Sequence, residues 1–241
     1  MSVAFDWRVI AGSAATPGGG GLDRCRADFP ALSEVPGGRA LHYLDNAATT
    51  QQPRAVIDAM ARCAAAGLGP VHRGLYPLAE RASEAYEQAR AAVARFVGAA
   101  SPDELVFTRS ATESINLVAA GWLRPRLNPG DQVWVTRMEH HANWLPWQRV
   151  CRERGAELRV IELDASGALD LGRCHGLFDP RTRLIAMTHQ SNVLGFANPI
   201  AAICAEARRH DIPVLVDAAQ SVGHRAVDVA ALGCDFLAFS A

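Results

Sequence analysis

The chain has 241 residues, 49% of them hydrophobic and 20% charged, with a formal net charge of −1. That composition excludes a mostly disordered chain and leaves no basic nucleic-acid footprint. No apolar stretch approaches the roughly 18–20 residues that span a bilayer, and Asp6 and Arg8 interrupt the one segment that could imitate a secretion signal. A cytoplasmic protein is expected, binding neither nucleic acid nor membrane. All 24 basic residues are arginine. Arginine stays protonated at any working pH, so no side-chain amine is present to attack a carbonyl. The six cysteines (Cys25, Cys63, Cys151, Cys174, Cys204 and Cys234) include no Cys-x-x-Cys pair. They read as scattered small hydrophobic residues in a reducing compartment, not as zinc ligands or a redox dithiol.

Residues 1–24 contain the run Gly18-Gly19-Gly20-Gly21, which has no apolar period and a high ordering entropy, and predict a flexible arm. One large domain is expected over 25–241. Pro53 opens a helix with Val56, Ile57 and Met60 at helical spacing, closed by Gly67. A second helix is predicted from about Ala79 to Phe96, with Ala82, Tyr86, Ala89, Val93 and Phe96 as its apolar stripe. The pattern then alternates. Strands are predicted at Leu105–Phe107, Val133–Val135, Leu158–Ile161, Leu184–Met187, Val214–Val216 and Phe236–Phe239. Helices are predicted at about Thr112–Leu123, Trp144–Arg154 and Ile200–His210. Short apolar strands separated by helices predict an α/β fold with a mostly parallel sheet covered on both faces.

In such sheets, ligands collect at the carboxyl ends of the strands. There the sequence places Thr108-Arg109-Ser110-Ala111-Thr112, a turn suited either to a phosphate or to an ordinary helix cap. It also places Met138-Glu139-His140-His141-Ala142-Asn143, Thr188-His189-Gln190-Ser191-Asn192 and Asp217-Ala218-Ala219-Gln220. Adjacent His140 and His141 cannot face one ligand, so no metal site is expected. A single imidazole over a flat ring, an acid/base role and a plain loop histidine all remain open. Asp217 directly follows Val214-Leu215-Val216. Burying such a carboxylate unpaired costs several kcal/mol, so it needs a cation. The candidates are an internal arginine or a protonated ring nitrogen such as that of pyridoxal phosphate.

These segments resemble a known family. Tyr43-Leu44-Asp45-Asn46-Ala47-Ala48-Thr49, Val71-His72-Arg73-Gly74, Glu139-His140-His141-Ala142-Asn143, Ser191-Asn192-Val193-Leu194-Gly195 and Val216-Asp217-Ala218-Ala219-Gln220 are similar, in order and separation, to motifs of the cysteine desulfurases. The nearest likeness is to the SufS-like (group II) branch of the class V aminotransferase superfamily. The resemblance implies the large domain of a fold-type I pyridoxal-phosphate enzyme without its C-terminal domain, usually homodimeric. It implies that His140 stacks on the cofactor ring, with a possible acid/base role, and that Asp217 pairs with the ring nitrogen. Gln220 and Asn192 would bond the phenolic oxygen side. Ala111, Thr112 and Ser240 would hold the phosphate, and His72 would lie on the substrate side.

The loop reads Ser110-Ala111-Thr112 where relatives generally have Gly-Thr-Thr, which removes one hydroxyl and implies weaker phosphate binding. The family continues Ser-Gly-His-Lys where this sequence has Ser240-Ala241. The Schiff-base lysine, the sulfur-accepting cysteine and the arginines for the substrate carboxylate are therefore absent, and a truncated chain that is inactive alone is expected. In the complete family member, L-cysteine yields L-alanine and an enzyme persulfide. The implied partners are a cysteine-like amino acid, a second copy or a complete desulfurase, and a sulfur-acceptor protein. A selenocysteine lyase or other class V aminotransferase-like enzyme, and a non-catalytic interaction subunit, are the alternatives.

Overall fold

The computed structural model describes residues 25–33, 41–173 and 176–240. The glycine-rich arm, Cys174 and Ala241 lie outside the described residues. The chain divides into two compact units, one up to Ala92 and one from Val93. The first contains α1 (Arg54–Ala65) and most of α2 (Pro77–Phe96). Pro53, extended, stands at the N-cap of α1, and Gly67 takes positive φ just past its end, as the sequence predicts. The apolar side of α1 stays open, however, with Val56, Ile57 and Met60 all exposed.

The second unit holds a five-stranded sheet: β1 (Gln132–Thr136), β2 (Glu157–Ile161), β3 (Thr182–Thr188), β4 (Val214–Asp217) and β5 (Phe236–Ala238). Its order is β2-β1-β3-β4-β5, and every pairing is parallel. α3 (Ala111–Leu117), continued by a wider π-type turn over Val118–Leu123, precedes β1. α4 (Leu145–Arg154) links β1 to β2 and ends on Gly155, whose φ of 70° suits a residue without a Cβ. α5 (Ile200–Arg209) links β3 to β4, and α6 (Val229–Leu232) precedes β5.

The period of two along each strand sorts side chains into two cores. Val133, Val135, Leu184, Ala186 and Leu215 pack with Ile115 of α3 and Trp147, Val150 and Cys151 of α4. Trp134, Ile185, Met187, Val214 and Val216 pack with Ile200, Ile203, Cys204 and Ala207 of α5. Since both faces are covered, β1 and β4 are buried along their whole length, which explains their unbroken apolar runs. β2, at the edge, instead alternates, with Glu157 and Arg159 in solvent.

Three expectations are corrected. Leu105–Phe107 forms no strand: no strand among the described residues runs beside it, and Val106 and Phe107 are exposed. On α2, Phe96 is exposed, while Ala79 and Ala94 are buried. Cys25 and Cys63 are exposed thiols, whereas Cys151 and Cys204 are buried as expected.

Each fully buried aliphatic side chain contributes about 1.5–3 kcal/mol by leaving water. Leu184→Ala is expected to lower the stability of the second unit by about 2–5 kcal/mol in urea unfolding. Exposed Arg152→Ala should stay within about 0.5 kcal/mol of the parent.

Candidate functional site

In this topology β1 connects outward to β2 through a helix on one face, and β3 connects to β4 through a helix on the other. The crevice between the carboxyl ends of β1 and β3 is thus the topological switch point, where open α/β sheets bind ligands. Glu139 fills it. Its Oε1 accepts the Thr136 hydroxyl at 2.5 Å and the Thr188 N–H at 2.8 Å. Its Oε2 accepts Asn143 Nδ2–H at 2.6 Å. Burial pushes the carboxyl up to about 7 against the pull of these three donors, and the nearby Asp217 charge adds to the rise.

Asp217 ends β4 and is 6% exposed. The Ala219 N–H donates to its Oδ1 at 3.0 Å, closing a short Asx-type turn. Burial raises its pKa, and this turn bond and the neighbouring His140 pull it back down. Among the described residues, no arginine stands within ion-pair distance of Asp217, so the internal-arginine reading is not realised. At the end of β3, His189 is 7% exposed, and its Nδ1 has no hydrogen-bond partner among the described residues. Burial and the charge of Arg225 lower its pKa.

His140 follows Glu139 and caps the short 3₁₀ turn His141–Asn143 by accepting the Ala142 N–H on Nδ1 at 3.2 Å. That bond leaves the proton of a neutral ring on Nε2. His140 and Asn192 line one open depression of about 340 Å³, together with Met138, Ser191 and Leu194. The Ser240 hydroxyl accepts the Ala111 N–H at 3.3 Å, joining the end of β5 to the first turn of α3, where Thr112 also sits. Ser110 caps that helix by accepting the Glu113 N–H, so the same turn is also an ordinary cap. Gln220 lies half-buried in the turn after β4.

His72 belongs to the first unit and takes a positive φ of 59°. Its N–H donates to Ser83 Oγ at 2.8 Å, and its Nε2 lies 3.0 Å from Glu87 Oε1. The second unit by itself therefore brings together His140 with Asp217, His140 with Asn192, and Ala111 with Ser240.

Residues 42–241 match the aminotransferase class-V family. The chain belongs to that family. It is 51% identical over 219 residues to a cysteine desulfurase of Klebsiella pneumoniae, covering 91% of this chain and 54% of the relative. Among solved structures, it is similar to the apo cysteine desulfurase of Thermococcus onnurineus NA1, with a TM-score of 0.82 and 38% identity. That likeness covers 90% of this chain and 52% of the other. It is also similar to the cysteine desulfurase CsdA of Escherichia coli, with a TM-score of 0.76, 36% identity and coverage of 90% and 53%. The chain thus spans about half the length of the relatives it matches. An α/β class V aminotransferase domain with a parallel sheet covered on both faces is the fold the sequence predicts, with five of its six predicted strands present, and among the described residues no helix is long and apolar enough to cross a membrane.

Residue by residue, the sequence does not single out Glu139, Thr136, Thr188 or Asn143 as a group. The available signal is the segment Met138-Glu139-His140-His141-Ala142-Asn143 after a predicted strand, which carries two of the four. Their convergence depends on β1 and β3 being neighbours, which no local pattern encodes.

Because Glu139 has a folded pKa near 7, above its usual value of 4.5, folding favours its protonated form. Its stabilising effect is complete below pH 4.5 and is lost as pH rises through 7. The loss amounts to about 3 kcal/mol. Asp217 acts in the same direction, while His189, lowered from 6.5, acts oppositely and favours the fold above that value. The urea midpoint is expected to fall between pH 5 and pH 8, and Glu139→Gln should flatten that fall.

Proposed function

We propose that this chain is the cofactor-holding part of a pyridoxal-phosphate protein of the cysteine desulfurase type. The observation behind this reading is Asp217: a buried carboxylate, at the end of a central strand, with no cation to pair it among the described residues. A protonated pyridine nitrogen is the cation this position fits, and the unpartnered Nδ1 of His189 marks a second polar group in the neighbouring strand end awaiting a ligand. When bound, the cofactor supplies an electron sink for cleavage beside an amino-acid α-carbon.

The chain's own residues then divide the work. Asp217 keeps the ring nitrogen protonated, since a charge-assisted bond inside the protein favours the ionised pair. His140 would stack on the ring. Asn192 and Gln220 would hold the phenolic oxygen side, and Thr112, the Ala111 backbone and Ser240 would hold the phosphate. The substrate class is a cysteine-like amino acid, a reading supported by relatives named for desulfuration. Cys151, Cys204 and Cys234 are unsuited to take up its sulfur, because burial pushes their thiols up to about 12, 12 and 11.

A cytoplasmic setting is supported by free thiols such as Cys25 and Cys63. Exposed Val106, Phe107, Leu117 and Val193 support assembly with a second copy or with a complete desulfurase.

Within these 241 residues no lysine can attach the cofactor. Added pyridoxal phosphate is expected to bind this chain reversibly, with nothing fixed by borohydride. Asp217→Asn should weaken binding by about 10–100-fold, the worth of one hydrogen bond to a charged group. Equal affinity in that variant, measured by absorbance titration, would sink the assignment.

A further inference from the structure

We propose that Glu139 is a positioning residue: the carboxylate that locks the His140 loop to the end of β3 and so sets where the imidazole stands relative to Asp217. The choice of ligand rests on the preceding reading, but the hydrogen-bond wiring does not.

The wiring has one direction only. The Trp147 indole N–H can only donate, and it donates to Asn143 Oδ1 at 2.9 Å. Asn143 must therefore turn its Nδ2 towards Glu139 Oε2. Thr136 Oγ1 already accepts the Met138 N–H at 3.1 Å, so its own proton is free to go to Glu139 Oε1. The Thr188 N–H is a third donor. Every partner gives a proton and none accepts one, so the three bonds favour the ionised carboxylate, against the burial that raises its pKa to about 7.

That anion ties together three pieces of backbone: the end of β1 through Thr136, the 3₁₀ turn capped by His140 through Asn143, and the end of β3 through Thr188. Thr188 is paired in register with Asp217 on β4, and the His189 N–H donates to the Asp217 carbonyl at 2.8 Å. The position of His140 is thereby transmitted to the strand ends beneath the candidate cofactor.

The charged groups around it fit this role. From β4, Asp217 acts on Glu139 as a like charge. From the end of β3, His189 is held towards neutrality. On its own loop, Arg137 is engaged by Glu162, 2.9 Å from Nε to Oε2. Arg225 acts on His189, and among the described residues no arginine is ion-paired with Glu139 or Asp217.

Reversing the wiring tests the assignment. In Glu139→Gln, the new amide N–H meets Asn143 Nδ2–H, donor against donor. In Asn143→Asp, two carboxylates meet. In the double variant, Glu139→Gln with Asn143→Asp, the introduced amide donates to the introduced carboxylate. All four hydrogen bonds are then restored, with the charge moved one residue towards the apolar core. Each variant of the 241-residue chain is titrated with pyridoxal phosphate, and its amide exchange at Thr188 is followed without ligand. Each single change is expected to weaken affinity about tenfold or more and to speed Thr188 exchange. The double change should recover affinity to within about threefold and restore protection. Single variants that fail to fold while the double variant folds give the same support. A Glu139→Gln chain that binds and exchanges like the parent overturns the assignment, as does a double variant no better than either single one. If the parent itself does not bind pyridoxal phosphate, the functional reading fails, and Thr188 exchange alone decides the role of Glu139.

Discussion

Two carboxyl groups sit at the end of a parallel sheet with no cation to match them, and much of the second unit is arranged around that. Removing an acid from water costs several kcal/mol unless its charge is met. Glu139 is met by donors alone: a hydroxyl, a backbone N–H and an amide. Asp217 is met only in part, by the Ala219 N–H and the field of His140. The first acid is thereby consumed in holding structure, and the second is left with binding capacity.

The sheet topology makes this division possible. Since α4 and α5 cover opposite faces, the loops after β1 and β3 diverge and leave a crevice between them. A short polar residue would leave that crevice wet. Glu139 reaches across it, and the Thr136–Glu139–Asn143–Trp147 chain then runs from the crevice into the apolar core beneath α4, where Trp147 is fully buried. The site loop is thus anchored to the same side chains that hold the helix to the sheet.

What the sequence discloses follows from how local each signal is. β1, β3 and β4 are legible because burial on both faces leaves unbroken apolar runs, and Gly155 and Pro53 mark helix ends by backbone chemistry confined to one or two residues. Asp217 is legible because an acid directly after Val214-Leu215-Val216 conflicts with burial. Leu105–Phe107 misleads for the converse reason: its composition suits a strand, but strand formation is a property of the whole sheet, and the five strands described do not include it. Glu139 is hidden by the same non-locality. Its partners are 3, 4 and 49 residues away, and only the last of these separations places it at the junction of two strands.

The arginine-only composition completes the argument. An arginine cannot be discharged, so each one brought inside must find an anion and keep it. Among the described residues the guanidinium groups meet their acids at the periphery: Arg183 with Asp131 at the opening end of the sheet, Arg124 with Glu153, Arg109 with Glu113 and Arg137 with Glu162. The one acidic partner among these that is strongly buried, Asp131, lies at the amino end of β1, away from the carboxyl-end crevice. Positive charge is thus spent elsewhere in the unit. Among the described residues no arginine is paired with Asp217, so the buried acid is left to discriminate for charge in a ligand.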